Sequence, residues 1–252
     1  MLAVSLAVPA VNLAAFEILY QEASRNAAAE VARQSSRLRS SDESERIDAA
    51  VKLAELRSPL AIPALSSALD DKEEMVRAIA VEGLAATADP QVVQSIAARL
   101  EKDKSAFVKK AAAYGLGLIG SPGGTSALVG ALKDKDDEVR GAASVALGKY
   151  RDPSAVDGLV TALNDKSDFV RSHAALALGV NGRASIKAVS PLLKLLDSDP
   201  APEVRRQSAI ALGEIGDPAA LDALERAKRS PDPYLSLAAL SAIEKIKRNG
   251  QD

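Results

Sequence analysis

The sequence predicts an all-α fold, an alpha-solenoid of about six helix pairs plus a terminal helix, and three observations predict it. A Val-Arg or Val-Lys pair returns at Val76-Arg77, Val108-Lys109, Val139-Arg140, Val170-Arg171 and Val204-Arg205, in steps of 32, 31, 31 and 34 residues. Eight residues after each anchor valine comes a leucine (Leu84, Leu116, Leu147, Leu178, Leu212), followed by Ala85 in the first copy and by Gly117, Gly148, Gly179 and Gly213 in the others. Thirteen and fourteen residues after the anchor stands a turn signal, Asp89-Pro90, Ser121-Pro122, Asp152-Pro153 and Asp217-Pro218, with Arg183-Ala184 as the departure. A period of this length marks a stack of short units, each too small to bury its apolar surface alone.

Composition agrees with such a stack. Of 252 residues, 47% are hydrophobic but only 3% are aromatic and none is Trp, so the core must be built from Ala, Leu, Val and Ile. Lys plus Arg is 32 against 34 Asp plus Glu, a formal charge of −2, which gives no electrostatic case for a nucleic-acid partner. The absence of cysteine excludes disulfides, thiolate metal sites and a cysteine nucleophile.

Taken in order, residues 1–40 form an apolar, helical N-terminal segment and residues 41–252 the array. Met1 to Phe16 carries no charge, yet it lacks the basic start of a signal peptide, and Pro9, Asn12 and Glu17 interrupt the only window long enough to span a bilayer. Leu13, Phe16, Tyr20, Ala23, Ala27 and Val31 recur at the spacing of one helical face, which predicts a helix covering the open end of the stack. On that reading the protein is cytoplasmic; membrane association or export is open only through residues 1–20.

Within each unit the first helix starts at a capping residue three places before the anchor, as at Ser105, Asp136 and Ser167. Its Leu-Gly ending serves either close helix approach or termination, and the spacing alone leaves both open. The proline turn then opens a second helix, with apolar residues at three and four, as in Val93, Ile96 and Leu100 or Val156, Leu159 and Leu163. Links such as Lys102-Asp103-Lys104, Lys133 to Glu138 and Asn164 to Asp168 alternate in sign and read as solvated turns. A degenerate copy at Glu45-Arg46 opens the array. Another, at Leu235-Ser236, closes it with a helix whose Glu244, Lys245, Lys247 and Arg248 predict a polar cap.

This pattern, from capping residue through Val-Arg and Ala-Leu-Gly to Asp-Pro and a leucine-rich helix, resembles the HEAT-like repeats of the phycobilisome-lyase type over roughly residues 42–252. The resemblance implies a right-handed superhelix with second helices lining the concave side. It also implies a ladder of ion pairs between units, in which Asp89, Asp152 and Asp217 would meet Arg77, Arg140, Arg171 and Arg205. As a guide to function it is broad, since the family holds bilin lyase subunits, hydroxylases and binding scaffolds.

The residues offer little chemistry. His173 is the lone histidine, and its related positions Ile79, Ala111, Ala142 and Gln207 predict a packed or solvated ring rather than a catalytic one. The di-iron hydroxylases of this family need several His-Glu pairs, and His173 is followed by Ala174. Gly120 to Thr125 lacks the lysine of a phosphate loop and reads as a turn. No cofactor or metal is expected. The candidate protein-binding face is the concave row of second-helix residues Gln94, Ser126, Asp157, Thr161, Ser190, Lys194, Asp222 and Arg226. Function is therefore expected to be a non-catalytic protein-protein interaction scaffold, with another protein as partner. The alternative is an enzyme of the same family, bilin lyase-like or, less readily, a hydroxylase.

Overall fold

A computed structural model describes residues 13–149 and 151–249, and all regular structure among them is helical. A long helix α1 (Leu13–Arg37) precedes six helix pairs: α2 (Glu43–Glu55) with α3 (Ile62–Ala68), α4 (Glu74–Ala86) with α5 (Val93–Lys102), α6 (Ala106–Ile119) with α7 (Thr125–Ala131), α8 (Asp137–Leu147) with α9 (Val156–Ala162), α10 (Asp168–Val180) with α11 (Val189–Ser198), and α12 (Pro202–Ile215) with α13 (Leu221–Ala227). The array ends on α14 (Pro233–Asn249).

Each second helix is entered through a 3-10 turn whose first residue is proline in five units of six. Proline suits that place because its ring presets φ and the missing N–H has no partner there to lose. The aspartates of the Asp-Pro steps cap these turns: Asp89, Asp152 and Asp217 accept from Gln91, Ser154 and Ala219 N–H at 2.8–2.9 Å. The departing unit has a longer 3-10 segment, Gly182–Ala188, begun by Gly182 at φ +55°. Before the proline turn the chain passes through a left-handed residue, which is Gly120 or Gly216 in two units but Arg57 (φ 45°) and Ala88 (φ 53°) in two others. A Cβ in that conformation crowds the following carbonyl. Ala88→Gly is therefore expected to raise stability by about 1 kcal/mol, read as a higher urea midpoint; an unchanged midpoint would remove the strain argument.

The core runs the length of the array as one apolar seam. Anchor valines Val76, Val108, Val139, Val170 and Val204 are fully buried, as are Leu84, Leu178 and Leu212, with Leu116 and Leu147 1% exposed. Stacking of first helix on first helix explains the glycine after the leucine. A Cβ on Gly117 would stand 2.9 Å from Ala146 Cα, one on Gly179 3.0 Å from Ala211 Cα, and one on Gly213 2.7 Å from Ala242 Cα, and none of these glycines has positive φ. Close approach, not termination, is thus their purpose. A Cβ on Gly148 would stand 3.6 Å from Ala177 Cβ, which makes it the looser case.

The ion-pair ladder exists, but its acids are not those of the Asp-Pro steps. Arg46, Arg77, Arg140 and Arg171 each hold a carboxylate through Nε and Nη2, at 2.7–3.2 Å, on Asp71, Asp103, Asp165 and Asp199; Lys109 holds Asp134 at 2.7 Å. Every Nη1 donates to two backbone carbonyls of its own incoming link, as Arg140 does to Asp134 and Lys135 at 2.9 and 3.3 Å. The charged links are therefore not simply solvated: the Asp165 side chain is 11% exposed and that of Asp103 2%. The aspartates of the Asp-Pro steps instead cap their own proline turns, one turn away from the ladder. Arg205 makes the carbonyl bonds, to Asp199 and Pro200, but no ion pair, because Ser230 occupies the place of the next acid.

These acids make stability depend on pH. Burial, the largest influence on Asp103, Asp134, Asp165 and Asp199, pushes their carboxyls up. Hydrogen bonds from Arg77, Lys109, Arg140 and Arg171, and from the N–H two residues on, outweigh it and hold each carboxyl below its ordinary value. A carboxyl depressed in the folded state contributes stability that is present above the unfolded pKa, about 4, and is lost as pH falls through the folded one. Urea midpoints are expected to hold between pH 7 and about 5 and to fall below about pH 4; a midpoint level down to pH 3 would contradict the ladder's role.

The two ends differ from expectation. Among the side chains of α1 that the structure describes, Gln34 is buried, Val31 packs on the core and Ala27 is half-buried, while Ala23 is exposed. Its 25 residues simply outrun the 13 of α2. The reading of Met1 to Phe16 lies largely outside the described residues. At the other end the polar cap is partial: Leu240 is 40% exposed, although its counterparts Ala113, Ser144, Ala175 and Ala209 are fully buried by a following unit.

Candidate functional site

All eight residues of the second-helix row are exposed, on α5, α7, α9, α11 and α13. They form a row in register, but three of them are occupied by neighbouring units. Gln94 Nε2 donates to Gly123 O at 3.3 Å, Asp157 is ion-paired with Lys187, and Arg226 reaches Asp197 at 3.2 Å. Thr161 Oγ1 donates to Asp157 O at 3.0 Å. Ser190 and Lys194 border a hollow of about 550 Å³ with Leu163, Pro191 and Leu195, backed by the Arg171–Asp199 rung. Ser126 and Asp222 stand in solvent.

The first helices carry a different surface, which the sequence reading passed over. Phe107, Tyr114, Phe169 and Tyr234 are the rings whose side chains the structure describes, and all four are 40–66% exposed. All four lie on first helices or α14. Phe107, Tyr114 and Leu118 are spaced by seven and four, which puts them on one stripe of α6, and Phe169 with Leu176 repeats the stripe on α10. Met75 extends it to α4. The inward positions of these helices hold the anchor valine, the leucine and otherwise mostly Ala and Gly, with no room for a ring, so the rings take outward positions.

Two hollows flank Tyr114. One, about 350 Å³, is bounded by Tyr114, Phe169, Ser167, Lys110, Asp137 and Glu138; the other, about 310 Å³, by Tyr114, Leu118, Ala111, Gly115, Ala85 and Glu82. The Phe169 ring is seated on α8 where Gly141 leaves room: a Cβ there would fall 2.6 Å from it. His173 packs on the same ring, centroids 4.1 Å apart, with Nδ1 2.9 Å from Phe169 O. The lone histidine thus braces the stripe, as a packed ring. The signal for this face was present, since a chain with three Phe, four Tyr and no Trp places Phe107, Phe169 and Tyr234 each one residue before its anchor.

Among the described residues no group of three or more His, Cys, Asp or Glu side chains is arranged to hold a metal ion. No helix among them is long and apolar enough to cross a membrane.

Comparison with known proteins accords with this architecture. The family model described as HEAT repeats matches residues 31–117, 95–179 and 170–244. No curated protein matches the chain. Among solved structures it is similar to Escherichia coli YibA, at 26% identity and TM-score 0.67, over 89% of this chain and 82% of that one. It is also similar to an engineered protein, at 24% and 0.61, over 86% and 68%. A third similarity is to the CpcE–CpcF complex of phycocyanin lyase from Nostoc sp. PCC7120, at 22% and 0.53, over 86% and 91%. These last two likenesses are of fold.

Proposed function

This chain belongs to the HEAT-repeat family, and from that premise we propose that it is a non-catalytic scaffold that binds another protein along the ring-bearing face of its first helices. The observation that carries the reading is the placement of every described Phe and Tyr ring, exposed, in that one layer. Exposed apolar side chains in a contiguous stripe have a cost in water that a bound partner removes, and aromatic residues dominate the energetics of protein interfaces. Gly117, Gly179 and Gly213 let successive first helices approach closely, which brings the side chains of this face from one unit near those of the next. The second-helix row Gln94 to Arg226 is the rival face, with less free capacity because Gln94, Asp157 and Arg226 already link adjacent units.

The test is capture from a native lysate with the full chain as bait, beside one variant carrying Phe107→Ser, Tyr114→Ser and Phe169→Ser and another carrying Asp157→Ala, Lys194→Ala, Asp222→Ala and Arg226→Ala. A partner retained by the second variant and lost by the first is the expected result. Loss only with the second would move binding to the other layer. An eluate holding iron or a pigment and no protein would replace the scaffold by the rival reading, a bilin lyase-like or hydroxylase-like enzyme.

A further inference from the structure

The geometry points to a basic segment as the occupant of the two hollows beside Tyr114: an extended stretch of a partner chain that lays a Lys or Arg side chain in each. This rests on the scaffold reading and adds the partner's chemistry to it.

Both hollows combine an apolar wall with an acidic rim. In the first, the rings of Tyr114 and Phe169 face Asp137 and Glu138. In the second, Tyr114 and Leu118 face Glu82. The charges do not cancel. Lys110 is the cation lining either hollow, and it is already paired with Glu138. Glu82 and Asp137 are exposed and make no ion pair, so each hollow presents one uncompensated carboxylate. Lys149, farther along the outward stripe, lines neither.

A long basic side chain fits this combination better than a purely apolar one. Its methylene stem covers the apolar wall while its head stays at the wet rim. A cation over a tyrosine face gains further attraction from the ring, and Tyr114 stands between the hollows and borders both. The chain already shows the contact once within itself, where the Arg206 guanidinium lies 5.4 Å from the centre of the Tyr234 ring. Neighbouring helices in a stack lie roughly 8–10 Å apart, and a segment in the extended polyproline II conformation, with three residues per turn and a rise of about 3.1 Å per residue, returns every third side chain to the same side. Basic residues three apart therefore match the spacing of the hollows.

Fluorescence anisotropy with labelled twelve-residue peptides tests this on the full chain. The probe carries Arg at every third position among Ala and Ser; the comparison peptides carry Leu or Glu there. The Arg peptide is expected to bind, more weakly at higher salt, and the Glu peptide not to bind. Glu82→Gln with Asp137→Asn should weaken the Arg peptide about three- to tenfold, two exposed pairs being removed. Glu101→Gln with Asp222→Asn, the same charge change on second helices, should leave it within about twofold. Tyr114→Ser should weaken it too, whereas Tyr114→Phe, which keeps the ring, should not. Equal binding of the Leu peptide, equal effects of the two neutralising pairs, or no binding of the Arg peptide would each overturn the basic class. The scaffold reading survives those outcomes if a native partner is still lost on removal of Phe107, Tyr114 and Phe169.

Discussion

Replacing Arg140 by methionine is expected to cost about 3 kcal/mol of unfolding free energy in urea melts at neutral pH. The side chain is 8% exposed and its partner Asp165 11%, so the substitution leaves a carboxylate with little water and no counter-charge. It also strips the Asp134 and Lys135 carbonyls of their shared donor. The reasoning concerns the orphaned acid rather than the worth of the pair, since a buried ion pair replaced as a whole is often close to neutral. Arg140→Met combined with Asp165→Leu should therefore recover much of the loss. Arg205→Met gives the internal comparison. Arg205 makes the carbonyl bonds but has no carboxylate, and its loss should be distinctly smaller. Equal losses at Arg140 and Arg205 would show that the rung adds nothing to the fold.

The second large effect is expected at Leu147, 1% exposed at the end of α8. Leu147→Ala removes three carbons from a seam that cannot close around the gap, because α8 is held at fixed distance by Gly117 against Ala146 on one side and Ala177 near Gly148 on the other. The expected cost is about 2–5 kcal/mol. Lys135→Ala, exposed in a link, should stay within about 0.5 kcal/mol. In a stack each unit is supported by its neighbours, so the loss should also appear as faster amide exchange in α6 and α10. If the two substitutions had equal effect, the register drawn through the anchor valines would be wrong.

That register was legible because it is written in residues with one physical purpose each. The anchor valine and the leucine eight places later are buried in all five units that carry them, and the proline turn needs a residue that has no N–H to lose. Glycine after the leucine was seen but not resolved, because close approach depends on what the next unit brings to it, as Ala146, Ala211 and Ala242 do. The ladder was half legible. Its arginines stand out in the sequence, but the acid five residues before each anchor does not: Asp103, Asp134 and Asp165 read as parts of solvated links, and Asp71 and Asp199 carry no signal of their own. Alternation of charge hides a buried acid among exposed ones, and only the position relative to the anchor separates them. The binding face was harder still. Outward positions of the second helices form a clean polar row, whereas those of the first helices mix Phe107, Glu138, Phe169 and Glu203 in one column, so that the rings disperse along the sequence and gather only when the units stack.

The most direct test of the central claim places a photo-crosslinking residue at Leu118, 69% exposed on α6, and separately at Thr161, exposed on α9, and irradiates each full-length protein in its native lysate. A partner covalently captured from Leu118 and absent from Thr161 is what a scaffold gripping through its first helices predicts. Capture from Thr161 alone would contradict it and place the interaction on the second-helix row.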